Sequence, residues 1–322
     1  MNEKLIELLK SSNDYISGEE ISKEFGLTRT SVWKHIKALK ELGYEIEGVS
    51  RKGYKLISCP DIIVPSEISS YLNTKFMGRE VFYFQEISST NDYGKTLEGK
   101  AKNGALVVSE TQVGGKGRLG RVWKSPKGGL WFSLYLTPSI EPMKASKITQ
   151  VAAAALVKVL YEEFNINAKI KWPNDVYINN KKATGILTEM KCEMERINYL
   201  IVGIGINVNI EPCDFHEDVK DTATSIFIEA GKKINRTELL GKFLNTFEEL
   251  YIDVVDNNNF SNVVNICRTH SLLINKQVYW IVGNNVTPVK CLGINDEGEL
   301  IVKTEDGNVT NVISGEITTK IV

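Results

Sequence analysis

Two prolines five residues apart, Pro60 and Pro65, separate stretches of chain whose apolar residues keep different periods. Before them, Leu5, Ile6, Leu8 and Leu9 mark one helical face, and Val32, Ile36, Leu39 and Leu42 mark another. Beyond them the runs VFYFQEI, ALVVSET, GLWFSLYL, AKIKW, TGILTEM and LIVGIGINVN read as strands, broken by long helical patterns such as KITQVAAAALVKVLYEEF. Strands mixed with helices in this way predict an α+β fold around a mixed sheet. A change of period at a proline-bearing linker divides the chain, and the boundary is placed near residue 62. The length of 322 residues allows two or three domains.

Local signals organise the first part further. Ser17-Gly18-Glu19-Glu20 fits a capping box that opens a second helix, which ends near Gly26. Thr28 caps a third, with Gly43 supplying its stop. The stretch YEIEGVSRKGYKLI then gives two short strands around Ser50-Arg51-Lys52-Gly53. Helix, glycine turn, helix and hairpin make a winged helix-turn-helix over residues 1–62. From Arg29 to Lys55 seven cations stand against three carboxylates. Arg29, Thr30, Ser31 and Lys34 at the start of the third helix are expected to face DNA bases or phosphates, with Arg51 and Lys52 reaching the adjacent backbone. A charged face on a protein-docking unit is the alternative. His35 is read as structural, since nothing nearby completes a metal site.

Composition excludes several classes. Lys and Arg number 39 against 40 Asp and Glu, so no global charge marks a nucleic-acid partner and any such partner must meet a local cluster. Five cysteines, odd in number and never in a CxxC pair, argue against a disulfide framework or a zinc site. With an amphipathic N-terminus and no apolar run of about 18 residues, the expectation is a cytoplasmic protein without a membrane span.

Directly after a predicted strand stands GGKGRLGRVW, from Gly114 to Trp123, with four glycines and three cations in ten residues. Glycines let backbone amides approach a ligand, and Lys116, Arg118 and Arg121 neutralise phosphate or carboxylate. The pattern is neither a Walker A loop nor a dinucleotide fingerprint, and a flexible basic surface loop is the alternative.

Three further segments, SSTND (88–92), KWPND (171–175) and KKATGILTE (181–189), accompany that loop and GIGINVN in order. Together these motifs resemble the biotin–protein ligases, and with the winged helix the whole chain resembles their bifunctional class, which also represses the biotin operon. The resemblance implies a class II synthetase-like catalytic domain over residues 63–273 and an SH3-like β-barrel over 274–322. It implies that biotin and ATP, with Mg2+, form biotinyl-5'-adenylate, and that the biotinyl group passes to a lysine of a biotin carboxyl carrier protein, an acetyl-CoA carboxylase subunit, or of a related biotin-dependent carboxylase. The adenylate would act as corepressor, favouring a homodimer through the central sheet that meets operator DNA.

By the same resemblance Ser89, Thr90, Asn91 and Gln112 contact biotin, offering the donors and acceptors that a ureido ring needs. Lys116, Gly117, Arg118 and Lys182 contact biotin or its adenylate, with Arg118 and Lys182 as the catalytic cations. Lys116 stands where many members have arginine, and so loses the planar fork. Arg121, Trp123, Lys171, Asn174 and Asp175 are nucleotide-site candidates. Lys171 and Asp175 serve phosphates, magnesium or the incoming lysine, or else KWPND only shapes a turn. Trp123 packs on adenine or biotin, or anchors the core. Asn207 and Asn209 end a strand, and structural use is preferred.

From Asn275 onward QVYWIV, PVKCLGI, ELIVKTE and VTNVIS read as short strands. The resemblance implies that they assist ATP and acceptor-protein binding; a purely stabilising cap is the alternative. Two other functional readings stand beside the ligase: a regulator that senses a ligand without catalysis, and a lipoate or octanoyl transferase.

Overall fold

The computed structural model describes residues 2–41, 43–194, 196–313 and 315–318. The chain divides into two compact units, Met1–Ile62 and Ile63–Val322.

In the first unit, α1 (Asn2–Ser11), α2 (Gly18–Phe25) and α3 (Arg29–Glu41) precede the hairpin of β1 (Glu45–Val49) and β2 (Gly53–Ser58). The Ser17 hydroxyl accepts the Glu20 amide at 3.0 Å and so caps α2, while Gly26 at φ +63° ends it. Thr28 Oγ1 accepts the Ser31 amide at 3.2 Å at the start of α3. Leu5, Ile6, Leu9, Ile21, Val32, Ile36, Leu39 and Ile46 form this unit's own core. Leu42, expected on the same stripe, lies outside the described residues. Residues Ile16 and Tyr54 exchange two backbone hydrogen bonds of 2.9 Å, and a Cβ at Gly53 would fall 2.0 Å from the Ile16 carbonyl oxygen. Only glycine permits that approach, which seats the wing on the helices.

The second unit opens with α4 (Pro65–Ser69), β3 (Val81–Ile87), α5 (Thr90–Lys95), β4 (Ala105–Gln112), β5 (Leu130–Leu136) and α6 (Ala145–Phe164). It continues through β6 (Ala168–Lys171), β7 (Asp175–Ile178), β8 (Lys181–Glu193), β9 (Arg196–Ile206), α7 (Ile226–Ala230), α8 (Arg236–Val255) and α9 (Ser261–Thr269). A seven-stranded sheet runs β3-β4-β5-β9-β8-β7-β6, in which only the β3–β4 pair is parallel. Strand β7 was not predicted from sequence, since four residues after a Pro-Asn turn are too few to show a period.

Alternation along the central strands builds two faces. Leu200, Val202, Ile204 and Ile206 of β9, with Phe132 and Leu134 of β5, join the main core with α6 and α8. The small residues Ala152–Ala155 of α6 are fully buried in this core. Tyr135, Tyr199 and Ile201 instead join a smaller cluster on the opposite face, against which Tyr93 of α5 packs.

The last strands, β10 (Gln277–Val282), β11 (Asn285–Ile294), β12 (Leu300–Thr304), β13 (Val309–Val312) and β14 (Glu316–Thr318), form an antiparallel sheet in the order β13-β12-β11-β10-β14. Among the described residues its outer strands are not paired with each other, so the SH3-like barrel stands open. Val278, Val289, Cys291 and Val302 continue the main core, which explains why residues 63 onward pack as one unit.

Candidate active site

The same alternation makes a floor. On the face of β9 that carries Tyr199 and Ile201, the next two positions are Gly203 and Gly205, paired with Leu187 and Gly185 of β8 and with Ser133 and Trp131 of β5. A Cβ at Gly203 would sit 2.0 Å from Asn91 Oδ1, and one at Gly205 would sit 2.4 Å from Trp123 Nε1. Backbone takes the place of side chains there, and a cavity of about 330 Å³ opens above it, within the range for small-molecule sites. This glycine pair is the main site feature missed in the sequence. The signal was present, since GIGI puts isoleucines on one face and glycines on the other.

At one end of the cavity stand short neutral groups. Ser89 caps α5 and accepts the Asp92 amide at 3.4 Å, which brings Thr90 and Asn91 to the wall, both nearly buried. Gln112 Oε1 accepts from the Thr90 amide at 2.8 Å and its hydroxyl at 3.1 Å, while Gln112 Nε2 donates to Ser125 at 2.9 Å. Asn91 donates to Glu189 at 2.8 Å and accepts from Ser133 at 2.6 Å, so its orientation is locked. Neither Ser133 nor Glu189 was predicted as a site residue: Ser133 lies mid-strand outside any motif, and Glu189 closes KKATGILTE with no role of its own assigned to it.

Over the cavity lies the glycine-rich loop. Lys116 pairs with Asp92 at 2.6 Å, Arg118 donates to Asn174 Oδ1 at 2.5 Å and to the Gly315 carbonyl at 3.0 Å, and Arg121 pairs with Glu316 at 2.8 Å. Trp123 lies half-buried on Gly185 and Gly205, and its indole N–H, buried, has no acceptor among the described residues. Its ring is therefore a wall of the cavity rather than an anchor of the main core.

At the other end KWPND joins β6 to β7 as a turn, and its side chains also line the cavity. Asp175 pairs with Lys182 at 2.7 Å and accepts from Asn174 at 2.9 Å; the Lys182 ammonium stands 5.3 Å from the Trp123 ring centre. Burial holds the Lys171 pKa below the ordinary lysine value, with neighbouring Asp175 opposing the shift. Every residue expected to meet biotin or nucleotide, from Ser89 to Lys182, lines this one cavity. Asn207 and Asn209 do not: they donate to the carbonyls of Thr224 at 3.0 Å and Ile234 at 2.8 Å and serve the fold.

In the other unit Arg29, Thr30, Lys34, Arg51 and Lys52 are exposed, with Ser31 partly covered. Arg29 pairs with Glu19 at 2.9 Å, so its charge is partly answered within the head.

A family model described as the biotin/lipoate A/B protein ligase family matches residues 81–207, and one described as an HTH domain matches residues 2–55. The bifunctional ligase/repressor BirA of Bacillus subtilis is 42% identical over 97% of this chain and 97% of its own length. The chain belongs to the biotin–protein ligase family. Within it, the BirA ligase/repressor of Escherichia coli is 27% identical over 98% of this chain and 95% of its own. A biotin protein ligase from Aquifex aeolicus, solved in complex with biotin and ATP, superposes with a TM-score of 0.65 at 30% identity, covering 74% of this chain and 98% of that one.

Proposed function

We propose that this chain makes biotinyl-5'-adenylate, passes the biotinyl group to a lysine of a biotin carboxyl carrier protein, and represses transcription through its winged helix with the adenylate as corepressor. The observation that carries the reading is the polarity of one cavity: neutral donors and acceptors around Asn91, a glycine floor, and cations at Lys182, Arg118 and Lys171.

The ureido group fits the first end. Its carbonyl and two N–H groups need short partners of both kinds, which Ser89, Thr90, Asn91 and Gln112 offer. The carboxylate then lies toward the cations. In the first step a carboxylate oxygen attacks the α-phosphorus of ATP and the bond to pyrophosphate breaks. Two anions must meet, so Arg118 and Lys182 act by answering charge that grows in the transition state. In the second step the acceptor's neutral amine attacks the acyl carbon and AMP leaves.

Magnesium is expected to arrive with the nucleotide. No group of three His, Cys, Asp or Glu side chains among the described residues could hold an ion, and Asp175 is paired with Lys182, so no step here is assigned to a protein-held metal. No described helix is long and apolar enough to cross a membrane, and a cytoplasmic location belongs to the proposal. So does a homodimer of the adenylate-bound form, formed through the central sheet, that brings two heads to a palindromic operator.

The test is pyrophosphate release from ATP and magnesium with biotin, with lipoate as the control acid. Biotin-dependent release supports the ligase. Release with lipoate alone favours the lipoate reading, and release with neither leaves a ligand-sensing regulator.

A further inference from the structure

We propose that Trp33 reads thymine in the operator, its indole packing against thymine methyl groups in the major groove; the inference rests on the DNA-binding role of the head. Of the chain's five tryptophans, Trp33 is the one that is exposed among the described residues, at 54%. A single exposed aromatic is ordinary by itself; what singles out Trp33 is its place on the third helix of the helix-turn-helix, the element that enters the major groove.

Its place on α3 says what it meets. Val32, Ile36 and Leu39 turn into the core, while Thr30, Trp33, Lys34 and Lys37 are exposed. Trp33 lies three residues after Thr30 and four before Lys37, so the three share one edge of that outward surface. The Lys37 ammonium stands 5.8 Å from the indole centre and 3.9 Å from Glu41, which leaves an exposed cation beside the ring. With Lys34 also exposed, this edge offers an apolar plate framed by cations. A thymine methyl is the apolar feature that the major groove presents, and phosphates flank it. A second copy of this chain would find like charges around the plate.

Wild-type protein, with biotin and ATP, is first used to select a duplex from a randomised 40-base-pair pool. Each thymine of the selected site is then replaced by uracil, which lacks only the methyl group. Binding is measured for wild type, Trp33→Ala and Trp33→Phe. Loss of one buried methyl corresponds to about fourfold in affinity, so wild type should lose about fourfold at one thymine per half-site. Trp33→Ala should bind the selected duplex at least about tenfold more weakly and show no further loss at that uracil. Trp33→Phe should recover most of both. Affinity for a scrambled duplex, and its dependence on salt, should not change, because the phosphate contacts remain.

Equal binding of wild type and Trp33→Ala to the selected duplex would overturn the inference. So would equal uracil losses in both proteins, or a Trp33→Ala effect confined to self-association. If wild type enriches no sequence at all, the operator-binding reading itself fails, and the two failures are told apart.

Discussion

Replacing Lys182 by methionine separates what this cation does for the fold from what it does for chemistry. Lys182 and Asp175 lie 2.7 Å apart with side chains 30% and 16% exposed. A pair so placed contributes about 1 kcal/mol to stability, and stranding a mostly covered Asp175 costs ~1–3 kcal/mol. For a unit of this size each kcal/mol moves Tm by about 2–4 °C, so the variant should melt several degrees lower yet remain folded. Catalysis should suffer far more: removing one preorganised partner of a developing negative charge typically costs about 10²–10³ in rate. Lys182→Met is therefore expected to lose roughly two to three decades in biotin-dependent pyrophosphate release. Asp175→Asn in the same chain removes the stranded charge, and should restore Tm without restoring the rate. Recovery of the rate in the double variant would refute the assignment, for it would mean that Lys182 only neutralises Asp175.

Gly203→Ala places a methyl 2.0 Å from Asn91 Oδ1, forcing that side chain from Ser133 and Glu189; biotin affinity by calorimetry should fall at least about tenfold. Arg118→Gly removes the loop's bonds to Asn174 and Gly315, and should release adenylate that labels exposed lysines at random; unchanged labelling of a bystander protein would remove the loop from its retention. Burial of Lys171 lowers its pKa, so it deprotonates before an ordinary lysine would: the KM for ATP should rise on the alkaline side and Lys171→Arg should move that limb upward. Stability should run the other way there, since between the lowered and the unfolded pKa the folded chain binds fewer protons and gains stability as pH rises.

The head was legible because its signals are local: Ser17, Gly26 and Thr28 each act within a few residues on the helix that they cap. The site was legible as separate motifs but not as a place. Ser89, Gln112, Arg118, Asn174 and Lys182 meet because β4, β7, β8 and the glycine-rich loop converge on one sheet face, and nothing in their spacing states that convergence. Ser133 gave no signal, and Glu189 closed a motif without a role of its own, until pairing places both beside Asn91. The pair Gly203 and Gly205 was visible but ambiguous, because glycine in a strand marks a bulge or a close backbone approach equally.

The C-terminal sheet shows why a segment with no catalytic motif still bears on the reaction. Its Gly298 carbonyl accepts from Trp172 and Gln150, both at 2.9 Å, and so holds the KWPND turn that carries Lys171 and Asp175. Its strand β14 begins with Glu316, on Arg121, and follows Gly315, on Arg118. Both rims of the cavity are thus tied to residues more than a hundred positions away in sequence. Cutting the chain at 274 would strip Val278, Val289 and Val302 from the main core as well as these anchors. A stabilising cap and a rim that sets the site are therefore one piece of structure, because the buried residues that fix the sheet also fix Gly298 and Glu316 against the loop and the turn.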